Sequence, residues 1–223
     1  DAIIPLPFAF SKSIGTAIPL CAFNQQSTPA QITLARAPGN SISIPPDLWP
    51  SFTYSVISKY FFLSDEEITR FKTARLEYLY ERVNKMQDVL TKPGFVNISR
   101  SNNKHPIKQI ILCRTEGNNI KYEMFINNTA TSSEAINCVF FEKVEIFNKF
   151  KGSARFGEKN IGIIDFSLKN TVGPSGCVSP STNIIKLNVV GYDGLSADLN
   201  ISIYTVCYYL LRIYDGELSY VFN

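Results

Sequence analysis

Runs rich in Ile, Val, Phe and Tyr recur along most of the chain: Lys108 to Cys113, Ile120 to Ile126, Ile136 to Ile146, Ile161 to Leu168, Asn183 to Val190 and Asn200 to Ile213. Each has strand length and strand composition. Turn formers separate them: Glu116-Gly117-Asn118-Asn119, Asn127-Asn128-Thr129, Gly173-Pro174-Ser175-Gly176 and Asp193-Gly194. Short strands joined by turns, with no alternating helices, predict an antiparallel sandwich or barrel and disfavour a parallel α/β architecture. In the last run Ile201, Ile203 and Cys207 share one face, and Tyr204, Val206, Tyr208 and Leu210 share the other. A strand apolar on both faces is covered on both. Asp165 alternates with apolar neighbours and is expected to face solvent.

One segment breaks the strand pattern. Ser64 followed by Asp65, Glu66 and Glu67 is a Ser-x-x-Glu capping box with acidic residues at the positive end of a helix dipole. Ile68 and Phe71 share a face while Arg70, Lys72 and Arg75 stay solvated, which predicts a helix to about Leu76. Beyond it, Glu77 to Val83 is compatible with helix or strand. Prolines at 5, 7, 19, 29, 38, 45, 46 and 50 cut the first 50 residues into short extended pieces, because each lacks an amide donor and restrains its predecessor. Such a stretch builds no core alone; it reads as strands and a linker completing a neighbouring domain.

Composition narrows the function. Of 223 residues, 45% are hydrophobic and 18% charged, enough for a packed core, and the formal charge of +3 is too small to argue for nucleic acid. No run of about 18 apolar residues marks a membrane helix. The start lacks Met and any signal-peptide pattern, which suggests a chain beginning inside a longer polypeptide. The apolar end, Leu218 to Phe222, reads as a strand finishing a domain. Cys21, Cys113, Cys138, Cys177 and Cys207 are widely spaced with no C-x-x-C pair, so they read as reduced, mostly buried thiols.

Reactive groups do not converge. His105 is the one imidazole and stands before Pro106 in a polar turn, where a structural role outweighs a catalytic one. No G-x-S-x-G elbow or phosphate loop occurs, and Asp65-Glu66-Glu67, the densest acidic cluster, is explained by capping. The N-x-[ST] matches at Asn97, Asn127 and Asn200 are weak. The expectation is therefore no catalytic, cofactor-binding or metal-ligating residue.

Six segments in order resemble the major capsid protein of nucleocytoplasmic large DNA viruses. Pro5-Leu6-Pro7-Phe8-Ala9-Phe10-Ser11 through Ala17-Ile18-Pro19-Leu20 is similar to that family's PLPFxFxRxxGxALPL signature. Tyr60 to Phe71 and Glu77-Tyr78-Leu79-Tyr80-Glu81-Arg82-Val83 resemble its Y-x-x-L-D-x-x-E-R-x-x-F and H-E-Y-L-I-E-Q-V segments. His105-Pro106-Ile107-Lys108-Gln109-Ile110-Ile111 is similar to HPVKELI. Pro174-Ser175-Gly176 matches the start of its P-S-G turn, and Ile203 to Ile213 with Gly216 resembles its closing strand pair.

The resemblance implies an all-β fold: an antiparallel eight-stranded jelly-roll sandwich, the second half of a double jelly roll, with one short helix inserted. Residues 1–50 would be the final strands of a preceding jelly roll and a Pro-rich linker, and residues 51–223 the C-terminal jelly roll. It implies a structural protein of a viral icosahedral capsid, forming homotrimeric pseudo-hexagonal capsomers. Partners would be neighbouring capsomers and minor capsid proteins, with no direct nucleic acid contact and at most an indirect relation to an inner viral membrane. The location would be the virion capsid, assembled in a virus factory in the host cytoplasm. Trp49, Phe71 and Tyr78 are the candidate aromatic anchors between subunits. The alternative is a jelly-roll protein outside the shell, a poxvirus-like scaffold or a carbohydrate-binding module.

Overall fold

In a computed structural model the described residues are 8–11, 14–23, 55–90, 93–100, 104–114, 120–150, 155–156, 159–168, 174–191 and 200–221. The expected turns at Glu116-Gly117-Asn118-Asn119 and Asp193-Gly194, and Trp49 with most of the proline-rich stretch, lie outside them. The chain divides into two compact units. One is Glu77–Arg212 with Asp1–Ile18 and Ser219–Asn223, and the other is Pro19–Leu76 with Ile213–Leu218.

The second unit holds helix α1, Asp65–Thr73, which packs on a 3₁₀ turn at Leu20–Ala22. The capping box forms as the sequence predicts. Ser64 Oγ accepts from the Glu67 amide at 3.4 Å, and Glu67 Oε2 accepts from the Ser64 amide at 2.8 Å. The helix stops at Thr73, short of the expected Leu76. Ala74 turns extended while its amide still donates to Arg70 O, and Leu76 already belongs to a strand.

The strands in chain order are β1 (Leu76–Leu90), β2 (Gly94–Asn97), β3 (Ile107–Arg114), β4 (Ile120–Ile126), β5 (Thr129–Ala130) and β6 (Ile136–Asn137). They continue with β7 (Arg155–Phe156), β8 (Lys159–Asp165), β9 (Ile185–Gly191), β10 (Ile201–Tyr214) and β11 (Glu217–Tyr220). One sheet has the order β1-β10-β3-β8-β7, with β11 also on β10. The other has β2-β9-β4-β5, with β6 also on β4. The pairs β1/β10, β2/β9, β3/β8 and β4/β5 are nested around one reversal. The chain is thus a long hairpin whose arms roll up, and β10/β3 and β9/β4 seal adjacent turns of the roll. Nested pairing of eight of these strands, four in each sheet, is the jelly roll expected from the sequence.

The reversal is a two-residue turn, Asn127 (φ 52°) and Asn128 (φ 64°), a conformation asparagine tolerates. The Asn127 side chain then locks it to the far loop: its Nδ2 donates to Asn183 Oδ1 and its Oδ1 accepts from the Ile184 amide, both at 2.9 Å.

Alternation builds the interior. Ile120 and Tyr122 of β4, Ile185, Leu187 and Val189 of β9, and Ile201 and Ile203 of β10 are buried, with less buried residues between them. A register slip lets β3 contribute at odd spacing: Val206 faces Gln109 while Cys207 faces Ile107. Lys108 is then the extra residue of a bulge, so Ile107 and Ile110 are both fully buried although they are three apart. As expected for β10, both faces are covered, with Cys207 buried on one and Val206 and Tyr208 on the other.

Besides the helix end, the expectation of mostly buried cysteines fails: only Cys138 and Cys207 are buried, and Cys177 is exposed. Two expectations about strand positions also fail. Of Ile136 to Ile146, only Ile136–Asn137 is strand; a π-helical turn at Phe140–Glu145 runs into α2, Ile146–Phe150. The residues buried there, Cys138, Phe141, Glu142 and Ile146, follow a helical stripe and not a two-residue alternation. Asp165 is the second: its side chain is 1% exposed, because Gln109, Ser167 and Lys149 surround it.

The helical segment is held from inside by charge. Arg114, at the buried end of β3, makes a bidentate pair with Glu142, through Nε to Oε1 and Nη2 to Oε2. Burial disfavours the charged guanidinium, yet the Glu142 hydrogen bond and charge hold the Arg114 pKa above its ordinary value. Arg114→Met leaves a buried carboxylate without its partner and should cost about 3–5 kcal/mol of stability in urea titrations. The double change Arg114→Met/Glu142→Leu should recover most of that loss.

Candidate interaction surface

Among the described residues no three His, Cys, Asp or Glu side chains come together as a metal site. An open cavity of about 160 Å³ lies beside Tyr122, Phe141 and Ile164, with Glu145 and Asp165 among its walls. Asp165 is committed elsewhere. Gln109 Nε2 donates to Oδ2 at 2.7 Å, and the Ser167 amide and hydroxyl donate to Oδ1 at 2.7 and 2.6 Å. Lys149 Nζ stands 3.4 Å away. Burial alone would raise its pKa, but the Ser167 and Gln109 hydrogen bonds and the Lys149 charge outweigh it and lower the value. The group is a fixed anion that anchors α2.

The helical segment thus buries charge beside Cys138, Phe141 and Ile146. Its inward face carries Glu142 and Lys149, each in an ion pair, whereas Val139, Phe140, Val144 and Phe147 are exposed, Phe147 to 63%. In a solvated helix the polar residues face out. Residues 140, 144 and 147 lie four and three apart, so they form one apolar stripe.

The second unit carries its own exposed apolar run in extended chain before α1. Val56, Ile57, Tyr60, Phe61 and Phe62 are all exposed, Phe62 completely. Lys59 Nζ lies 5.2 Å from the centre of the Phe61 ring.

Of the residues singled out from sequence, Phe71 is half-buried in α1 and Tyr78 half-buried in β1, while Trp49 lies outside the described residues. The Val144 and Phe147 surface is not legible in the sequence, because Ile136 to Ile146 reads as a strand that ends just before Phe147. A signal of the helix itself is present in the spacing of Cys138, Phe141, Glu142 and Ile146. Among the N-x-[ST] asparagines, Asn127 has both ends of its amide engaged, Asn97 Oδ1 is buried, and Asn200 is exposed.

No protein-family model matches the chain, and no curated protein matches it by sequence. Solved structures do. The PBCV-1 virus capsid, in a quasi-atomic model, superposes with a TM-score of 0.58 at 17% identity, over 73% of this chain and 55% of that one. PBCV-1 VP54, fitted into a reconstruction of the virophage Sputnik, gives 0.57 at 17% identity with the same coverage. The chain has the fold of these PBCV-1 capsid chains. The Faustovirus major capsid protein matches with a TM-score of 0.47 at 12% identity, over 68% of this chain and 36% of that one. This chain spans about half the length of the PBCV-1 chains it matches.

Exposed side chains contribute little to the fold of an isolated subunit. Val144→Asp/Phe147→Asp should leave the far-ultraviolet circular dichroism unchanged and shift unfolding free energy by no more than about 0.5 kcal/mol per site.

Proposed function

We propose that this chain is the second jelly roll of a major capsid protein, a structural subunit of an icosahedral viral shell with no enzymatic role. The observation that carries the reading is the nested two-sheet topology, shared with the PBCV-1 capsid chains, on a molecule that leaves apolar helix and linker surfaces exposed. Contiguous exposed apolar surface marks an interaction site in a soluble protein.

In this reading residues 1–50 complete a preceding jelly roll and residues 51–223 form the second. Three copies build a pseudo-hexagonal capsomer, and capsomers contact one another and minor capsid proteins in a virion assembled in the host cytoplasm. The apolar run at 56–62, α1 with Phe71, Tyr78 and Trp49 are the subunit contacts. A closed ring of identical subunits uses a heterologous interface, in which two different patches of the same chain meet. The exposed helix stripe and the 56–62 run are such a pair of patches.

Native mass spectrometry of the chain tests this directly: assembly predicts three times the 25.0 kDa subunit mass. Phe71→Asp should abolish the trimer without loss of secondary structure. If Phe71→Asp instead unfolds the protein, Phe71 is core and not interface. A chain that stays monomeric and scores on a glycan array would favour a carbohydrate-binding module.

A further inference from the structure

His105, the only imidazole in the chain, stands directly before β3 with its ring stacked on Tyr209 of β10 at 3.7 Å between centroids and 30° between planes. Pro106 O accepts from the Tyr208 amide at 2.9 Å, so the backbone beside His105 is tied to β10 as well. Tyr209 is 8% exposed and gathers groups from every strand around it. From β1, Tyr80 stacks on it at 5.6 Å, Arg82 places its guanidinium 5.6 Å from the ring centre, and Asn84 Nδ2 donates to its hydroxyl at 3.0 Å. From β11, Tyr220 meets it edge-on at 6.4 Å, and the next residue, Val221, donates its amide to Leu210 O at 3.0 Å.

We propose that His105 is an acid sensor: taking up a proton, it places a second cation beside Arg82 on the Tyr209 cluster and loosens the grip of that cluster on Tyr220 and the end of β11. Among the described residues the stack is flanked by Arg82, Tyr80 and Tyr220, with Lys104 next in sequence. The neighbouring carboxylate on β1, Glu81, is held by Lys108 Nζ at 2.6 Å. Burial, and then the Arg82 charge, lower the His105 pKa from its ordinary 6.5.

The direction of the effect follows. A histidine whose folded pKa lies below its unfolded value costs nothing well above pH 6.5. Stability falls as the pH drops from 6.5 through the folded value, then levels off. The loss cannot exceed about a tenfold change in the unfolding constant per pH unit, the limit for one proton. β11 is four residues long and mostly exposed, so little else holds it. This inference rests on the Tyr209 cluster alone and is independent of the capsid reading.

The single histidine makes the test direct. The imidazole proton resonances should titrate with a midpoint below 6.5, and Arg82→Gln should move that midpoint upward. Hydrogen exchange at residues 217–221 should accelerate between pH 7.5 and 5.5 in the wild type. In His105→Phe, which keeps the stack without the proton, exchange corrected for its intrinsic pH dependence should stay constant. A midpoint at or above 6.5, or corrected exchange that changes equally in His105→Phe, overturns the proposal.

Discussion

Arg114 brings a permanent positive charge to the inward end of a core strand, and Glu142 answers it from the segment packed across the sheet. A buried guanidinium without that carboxylate would carry most of its desolvation cost uncompensated. The requirement reaches well beyond two residues. Glu142 must point inward, Phe141 and Ile146 follow it on the same stripe, and Lys149 arrives one turn later beside Asp165. A strand through 138–146 would place successive side chains on opposite faces and could not turn Phe141 and Glu142 toward the same side. The helix is the conformation that satisfies the charge.

That solution has a visible consequence at the surface. With Glu142 and Lys149 drawn inside by their ion pairs, Val139, Phe140, Val144 and Phe147 face out while Phe141 stays buried. The interior gains a defined arrangement, because two ion pairs fix the angle of the helix on the sheet, and the exterior gains an apolar stripe. The same chain segment thus serves the fold with its charged residues and is available to a partner with its apolar ones.

The rolled hairpin sets the rest. Nested pairs bring strands distant in sequence into register, β1 with β10 and β2 with β9, so most stabilising contacts are long-range. Tyr209 and the Lys108 bulge mark where successive turns of the roll close on one another. There β10 must satisfy β1, β3 and β11 together, and aromatic stacking with Tyr80, His105 and Tyr220 does so without regular spacing.

What could be read from the residues alone was whatever neighbouring residues decide between themselves. The Ser64–Glu67 capping box, the Asn127-Asn128 reversal, the alternating strands of β4 and β9 and the double-sided burial of β10 depend on groups a few positions apart, and local sterics and hydrogen bonding settle them. Tertiary structure decided where a partner from elsewhere in the chain was required. Glu77 to Val83 became strand because β10 offered an edge to pair with. Asp165 went inside because Lys149, Gln109 and Ser167 met it there. Phe140 to Glu145 is helix and not the expected strand, with Glu142 meeting Arg114 from across the sheet. The free energy of a buried charge depends on what stands within a few ångströms, and that neighbour is set by the fold rather than by adjacency along the chain.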